Sequence, residues 1–369
     1  MSPYFTRCGV LLGVFCIALA TTSQAADTGK KQEETVARAV EYLRTTGQAA
    51  DGSYSAAAGP GVTAIVTTAI LRHGRSPEDP LVAKSLKYLE SFLREDGGIY
   101  KEGSNYKNYE TCLAVLCFTE ANKDGRYAKV LKGADAFIKG EQWDESENKS
   151  KGDAEYGGAG YGGKKRPDLS NTQFLVEALR ATGNGADSEA VQRALVFISR
   201  CQNLESAHNT TGLAAKNPDG GFYYTPAAGG DSQAGKTDEG GLRSYASMTY
   251  AGLKSMIYAG VSPDDARVKA ALKWLQKNYD LKSNPGMGDA GLYYYYHTFA
   301  KALAAVGQDT FTDAAGNKHN WRAELIAELA ARQRPNGSWT NDNARWLEGD
   351  ANIVTGYALL ALSHCKQSK

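Results

Sequence analysis

A glycine-centred loop recurs six times along the chain. It reads AADGSY at Gly52, EDGGIY at Gly97, EYGGAGY at Gly157, PDGGFYY at Gly220, DAGLYYY at Gly291 and PNGSW at Gly337. Self-similarity of this kind marks a repeat architecture, in which one small unit is stacked on copies of itself. Before each loop stands a segment such as VARAVEYLRTT, VAKSLKYLESFL or VKAALKWLQKNY. Apolar residues at i, i+3, i+4 and i+7 make these amphipathic helices. After each loop, beyond a variable insert, a second segment is led by Thr63, Thr111, Thr172, Thr249, Thr298 or Thr355. These segments are rich in Ala, Gly and aliphatic residues and nearly free of charge. A helix that is apolar on most faces must be buried on most faces. The unit is therefore an outer amphipathic helix, a glycine turn and an inner buried helix. Strand signals are nearly absent, since the Tyr293 to Tyr296 run leads straight into a helix. Six such pairs make an open solenoid or a closed ring. Neither end carries a polar-faced capping unit, which favours closure.

The 42 Lys and Arg residues balance 41 Asp and Glu, leaving a net charge of +1. That excludes a chain specialised by bulk charge for nucleic acid or anionic membranes. Tyr, at 21, is twice Phe, at 10. The excess suits partly wet surfaces, where a ring is buried while its hydroxyl reaches a partner. At the N-terminus, Arg7 precedes an apolar run from Cys8 to Ala20, and Ser23-Gln24-Ala25 supplies small residues for a signal peptidase. Residues 1–25 are expected to be a cleaved signal peptide, leaving 26–369 as one exported domain, periplasmic or secreted. The run is shorter than the ~20 residues that span a bilayer, so no membrane span is expected in the mature protein. Four cysteines remain there, Cys112, Cys117, Cys201 and Cys365, with no C-x-x-C pair. They read as buried small hydrophobes.

The loops D/N-G-G/S-aromatic followed by T-x-x-A-L, clearest between Pro335 and Leu362, resemble the repeats of the squalene cyclase and protein prenyltransferase superfamily. The resemblance covers essentially all of the chain after residue 25. It implies an all-α fold, an α/α toroid of six inner helices inside six outer ones. It also implies where family chemistry would sit. Class II terpene cyclases protonate a polyprene with a D-x-D-D-T-type motif at the start of an inner helix. The matching run here is Asp168-Leu169-Ser170-Asn171-Thr172. Asp168 matches, but Ser170 stands where the proton donor belongs. A hydroxyl cannot protonate an alkene at useful rates, so squalene cyclisation is not expected. Read from the residues alone, the run is an N-cap. Protein prenyltransferases hold zinc with an Asp, a Cys and a His. Tyr296-His297-Thr298 matches around the His, but Arg243 and Tyr245 stand at the Asp and Cys positions. One His is not a zinc site. Neither a metal nor another cofactor is expected, and His297 reads as a hydrogen-bonded wall residue. The reactive G-C-G-E-Q-like run of complement-type thioester toroids is absent.

Because every inner helix follows the same kind of loop, the inner N-termini should converge at one end of the ring. Free N–H groups there favour acceptors and anions. Asp168, His297 and Asp350 are the candidate catalytic residues at this mouth. Tyr109, Glu110, Asn171, Arg243, Tyr245, Tyr296 and Asn352 are the candidate ligand-binding residues. The bland alternative is that all of them cap helices and fill the centre. The inserts 142–166 and 227–241 are expected to lie over the mouth as lids or partner surfaces, with Asp238-Glu239 an acid pair or a solvated loop. The leading reading is a toroid that holds, and transforms or merely keeps, a small apolar or isoprenoid-like ligand. A carbohydrate-active hydrolase or lyase using Glu110 and Asp350 across an aromatic mouth is the alternative. A non-catalytic interaction domain is a third. A deep apolar cavity would favour lipid, a shallow groove with stacked rings a glycan, and a filled centre an interaction role.

Overall fold

In the computed structural model, which describes residues 11–366 with side chains from residue 26 onward, helices alternate between two layers. The expected signal peptide thus lies outside the described residues, apart from the backbone of 11–25. The outer layer is α1 (Leu11–Tyr42), α3 (Pro80–Glu90), α5 (Ala128–Glu141), α7 (Glu189–Arg200), α9 (Ala266–Lys277) and α11 (Trp321–Arg332). The inner layer is α2 (Pro60–Arg72), α4 (Lys107–Glu120), α6 (Leu169–Ala181), α8 (Ala246–Tyr258), α10 (Leu292–Val306) and α12 (Ala351–Ser363). Each inner helix packs on the next, and α12 packs on α2, so the ring closes into an α/α toroid. As the composition requires, the inner helices form the core. Residues Ile353 to Leu362 of α12, for example, are all buried.

Five of the six glycine loops share one geometry. The central glycine has φ between +82° and +90°, a left-handed conformation that favours glycine. It lies against the backbone of the next outer helix. A Cβ on Gly157 would sit 1.8 Å from the Arg193 carbonyl oxygen of α7, and one on Gly337 would sit 2.3 Å from that of Arg38 in α1. Two residues further on, a loop N–H donates to the threonine Oγ1 of the inner helix. The pairs are Tyr54 to Thr63 (2.9 Å), Ile99 to Thr111, Ala159 to Thr172 and Phe222 to Thr249 (3.0 Å each), and Trp339 to Thr355 (3.2 Å). A glutamine adds a second tie. The Nε2 groups of Gln48, Gln142, Gln202 and Gln333 donate to the carbonyls of Leu81, Ala190, Arg267 and Thr35, each on the next outer helix. In four of these five units a glycine, a threonine and a glutamine thus bind three helices together, and the Gly97 loop relies on the glycine and threonine alone.

The fifth unit departs from the expected pattern, and this is a correction. Gly291 directly precedes α10 with φ +67°, and a Cβ there would face the Trp346 ring rather than an outer helix. Thr298 does not receive a loop N–H; its Oγ1 donates to the Tyr295 carbonyl. Tyr296 takes the loop-facing place instead, its hydroxyl donating to Leu281 O at 2.7 Å. The α9–α11 junction is made by side chains. Tyr279 stacks on His319 with centroids 4.0 Å apart and donates to Glu324 at 2.8 Å. His319 comes from a small antiparallel hairpin, β1 (Phe311–Thr312) and β2 (Lys318–His319), in which Phe311 faces His319. The four described cysteines are buried and unpaired. Among the described residues no helix is long and apolar enough to cross a membrane.

Candidate functional site

The threonine that faces the loop also decides what faces the centre. Residues two places away on an α-helix are rotated by about 200°, so they point inward. Gly61, Tyr109, Ser170, Ser247, Tyr294 and Ile353, each two before a loop-facing residue, all line a central cavity of about 660 Å³. The cavity sits in the N-terminal turns of the inner helices. Phe174 and Tyr357, two after a loop-facing threonine, complete a belt of rings. Tyr109 meets Phe174 edge-on at 5.7 Å, Phe174 meets Tyr294 at 6.4 Å, and Tyr294 meets Tyr357 edge-on at 5.8 Å. The Tyr109 and Tyr357 hydroxyls lie 3.4 Å apart and close the circuit.

Loops roof the cavity, among them Ala57 to Gly59 just before α2. Tyr161 belongs to insert 142–166 and Gln233 to insert 227–241, as expected of lids, while Lys101 to Tyr106 and Trp346 to Glu348 come from segments not expected to cover the mouth. Trp346 and Leu347 have φ +56° and +66°. Two consecutive bulky residues in the left-handed region are strained. Yet they remain 43% and 52% exposed at the rim. Arg345 lies over the Trp346 ring at 4.1 Å. Asp238 and Glu239 are solvent-exposed, the solvated-loop reading.

Among the described residues three carboxyls line the cavity, Glu102 at its exposed rim and Glu110 and Glu348 in the wall. Glu110 accepts from the Lys101 N–H and the Ser104 hydroxyl, both at 3.0 Å, and burial raises its pKa. Glu348 was not anticipated. Its Oε1 accepts the Tyr293 and Tyr294 N–H groups at 2.9 and 2.8 Å, capping α10 from inside the cavity, and its Oε2 accepts from Asn341 at 2.7 Å. Those bonds favour the anion, but burial outweighs them and pushes its pKa up to about 7.

Below the belt the barrel is closed by charge. Glu177 of α6 is paired through its two oxygens with Lys254 of α8 and Lys301 of α10. All three are buried, and each stands five residues after the loop-facing Thr172, Thr249 or Tyr296. The two ammonium groups hold the Glu177 carboxyl well below the usual range despite its desolvation. Burial lowers Lys301 to about 7 and also lowers Lys254.

The sequence candidates scatter around this frame. Tyr109, Glu110 and Tyr245 line the cavity. Asp168 is the N-cap of α6, its Oδ1 accepting the Asn171 N–H at 2.8 Å and its Oδ2 the Asn171 side-chain amide at 2.7 Å. Burial pushes its pKa up to about 6. His297 lies deeper, stacked on Tyr357 at 5.9 Å, and its Nδ1 has no partner, so the expected hydrogen bond is not made there. The other four lie away from the cavity wall. Asp350 caps α12 through the Asn352 N–H at 2.8 Å. Asn352 reaches Ser55 and Gly47. Arg243 is turned to solvent with its Nε on Lys236 O, and Tyr296 faces the outer layer. Asp168, His297 and Asp350 therefore do not line one cavity, and Glu110 and Asp350 do not face each other across it. Among the described residues no three His, Cys, Asp or Glu side chains are grouped to hold a metal ion.

No family model matches the sequence, and no curated protein matches it. Solved structures do. A type II terpene cyclase, MstE from Scytonema, aligns over 90% of this chain and 97% of its own at 13% identity, with a TM-score of 0.53. A variant of that cyclase in complex with geranylgeranyl dihydroxybenzoate aligns over 92% and 99% at 14% identity, with a TM-score of 0.41. The likeness to the first of these, together with the closed double ring of helices, shows that the chain has the α/α toroid fold of that type II terpene cyclase.

Proposed function

We propose that the chain binds an elongated apolar ligand of isoprenoid type in the central cavity. The observation that carries this reading is the belt of four rings, Tyr109, Phe174, Tyr294 and Tyr357, around about 660 Å³ of space. That volume is in the range of small-molecule sites lined by apolar and aromatic groups. The fold, shared with a type II terpene cyclase, supports the same class of ligand. Ser170 occupies the position that a carboxyl would need for protonating an alkene, so the activity proposed is binding without squalene cyclisation. The decisive experiment is native mass spectrometry of the purified protein mixed with a lipid extract and, separately, with oligosaccharides. A retained lipid mass is expected. Retention of an oligosaccharide instead, or of neither, would overturn the proposal. Gly61→Leu places a side chain in the cavity beside Tyr109 while improving helix propensity. It should cut lipid occupancy about tenfold and leave the helical circular dichroism unchanged.

We also propose, from Arg7, the apolar run and Ser23-Gln24-Ala25, that residues 1–25 direct export and are removed. N-terminal sequencing of protein secreted from a bacterial host tests this, with a start near Ala26 expected.

A further inference from the structure

The direction of one hydrogen-bond chain can be followed from the charged floor to the cavity wall. Lys254 is wholly buried and its ammonium can only donate; it contacts Glu177 Oε1 and Gln173 Oε1. That fixes the Gln173 amide, because the carboxamide oxygen must face the ammonium. The Nε2 is therefore the end that reaches Tyr294, and it donates to the Tyr294 hydroxyl oxygen at 3.0 Å. Tyr294 in turn lies 3.1 Å from the Ser170 hydroxyl.

Two hydroxyl hydrogens now share one mutual bond. Tyr294 and Ser170 each bring one hydrogen, and Gln173 already supplies a donor from behind. Whichever of the two donates to the other, one hydrogen is left over. Both side chains line the cavity, and among the described residues neither meets a further acceptor. Ser170 lies in the first turn of α6 and does not fold back on a preceding carbonyl, the usual outlet for a helical serine. The spare hydrogen is thus offered to the cavity by a chain whose polarity is set by a buried lysine.

We propose that the cavity selects an apolar ligand bearing an uncharged oxygen acceptor, such as a ketone, quinone or ester carbonyl, which takes the spare hydrogen of the Ser170–Tyr294 pair. The inference rests on the reading of the cavity as an apolar-ligand site and names the group that the ligand must carry. An anionic acceptor fits less well, because among the described residues three carboxyl side chains, Glu102, Glu110 and Glu348, line the cavity against the one ammonium group of Lys101.

The test uses the full chain with two probes, farnesylacetone and the hydrocarbon of the same skeleton lacking its carbonyl oxygen. A neutral hydrogen bond formed against a desolvated wall should make the ketone bind about fivefold more tightly. The infrared carbonyl band of bound ketone should lie below its position in hexane. Ser170→Ala and Tyr294→Phe should each keep much of the preference, since either hydroxyl alone still offers one hydrogen. The double variant should lose the preference and the band shift, and an unchanged helical circular dichroism signal and urea midpoint would show that the toroid remains formed. Equal affinity for both probes in the unsubstituted chain would overturn the inference and leave the cavity reading standing. Failure of both probes to bind would overturn the two together.

Discussion

Glu348 and Asp168 show how burial and local bonds compete at single carboxyls. Both accept N–H groups at the start of an inner helix, which favours the anion, and both are almost wholly buried, which disfavours it. Burial prevails in each, raising Asp168 from 3.8 to about 6 and Glu348 from 4.5 to about 7. The sign of the stability effect follows. A carboxyl that is harder to ionise folded than unfolded adds stability while it is protonated. The contribution is complete below the unfolded value and is lost as pH rises through the folded one. These two groups should therefore make the toroid lose stability between about pH 4 and pH 7. In Glu348→Gln the part due to Glu348 should vanish. Urea melts across that range should show the fall in unfolding free energy reduced by about 2 kcal/mol. An unchanged slope would mean that Glu348 ionises in the fold as readily as in the unfolded chain.

At the scale of the element, the glycine loop explains why the helices alternate between layers. Gly157 combines positive φ with close backbone approach, whereas Gly74, with φ +93°, has nothing within 4 Å of the place a Cβ would take. Gly74→Ala should cost about 1 kcal/mol, the conformational penalty alone. Gly157→Ala must also push α7 away from its loop and should cost about 3 kcal/mol or more. Equilibrium unfolding of the two variants separates these terms, and equal costs would refute the docking argument. The same loops made the fold legible in the sequence, because the glycine takes the positive φ that the close approach requires and the threonine Oγ1 accepts the loop N–H. The fifth unit departs from its sequence pattern for a physical reason. Gly291 and Thr298 have the right residues, but Tyr296 does the threonine's work through a longer side chain, and the register slips by two. The site was legible only at its level along the barrel. The sequence pattern points the residues just before each threonine inward, whereas the threonine's bond to the loop sends the positions two away to the centre. That rule would have found Ser170, Phe174, Tyr294 and Tyr357. The buried floor left a signal too, since Ser170 to Glu177, Ser247 to Lys254 and Tyr294 to Lys301 are all separated by two helical turns. Glu348 left none, because its position depends on the loop that precedes α12 and not on any helical period.

For the whole molecule, closure is what turns six similar pairs into a cavity with one mouth. The seam between the last unit and the first is built from the same parts as the internal seams. Gly337 rests on Arg38, Gln333 donates to Thr35 O at 2.9 Å, and Gln32 donates to Leu362 O at 2.7 Å. In an open array each unit touches only its sequence neighbours, so the terminal pair can fray while the rest holds. In a ring there is no terminal pair, and a fault at the seam removes a wall from the cavity. Gly337→Ala, which brings a Cβ to 2.3 Å from a carbonyl oxygen of α1, should therefore cost as much as Gly97→Ala, which brings one to 2.5 Å from that of Gly133 in α5. Both should be about 3 kcal/mol in urea melts, with helical and tyrosine signals lost together. Native-state hydrogen exchange supplies the independent check. The α12 amides should exchange only with global unfolding, because α12 is held by α2 and α10 on its two sides. If α12 instead opened locally at low free energy, and Gly337→Ala were nearly neutral, the seam would be a contact between free ends and the cavity would lack a permanent wall on that side.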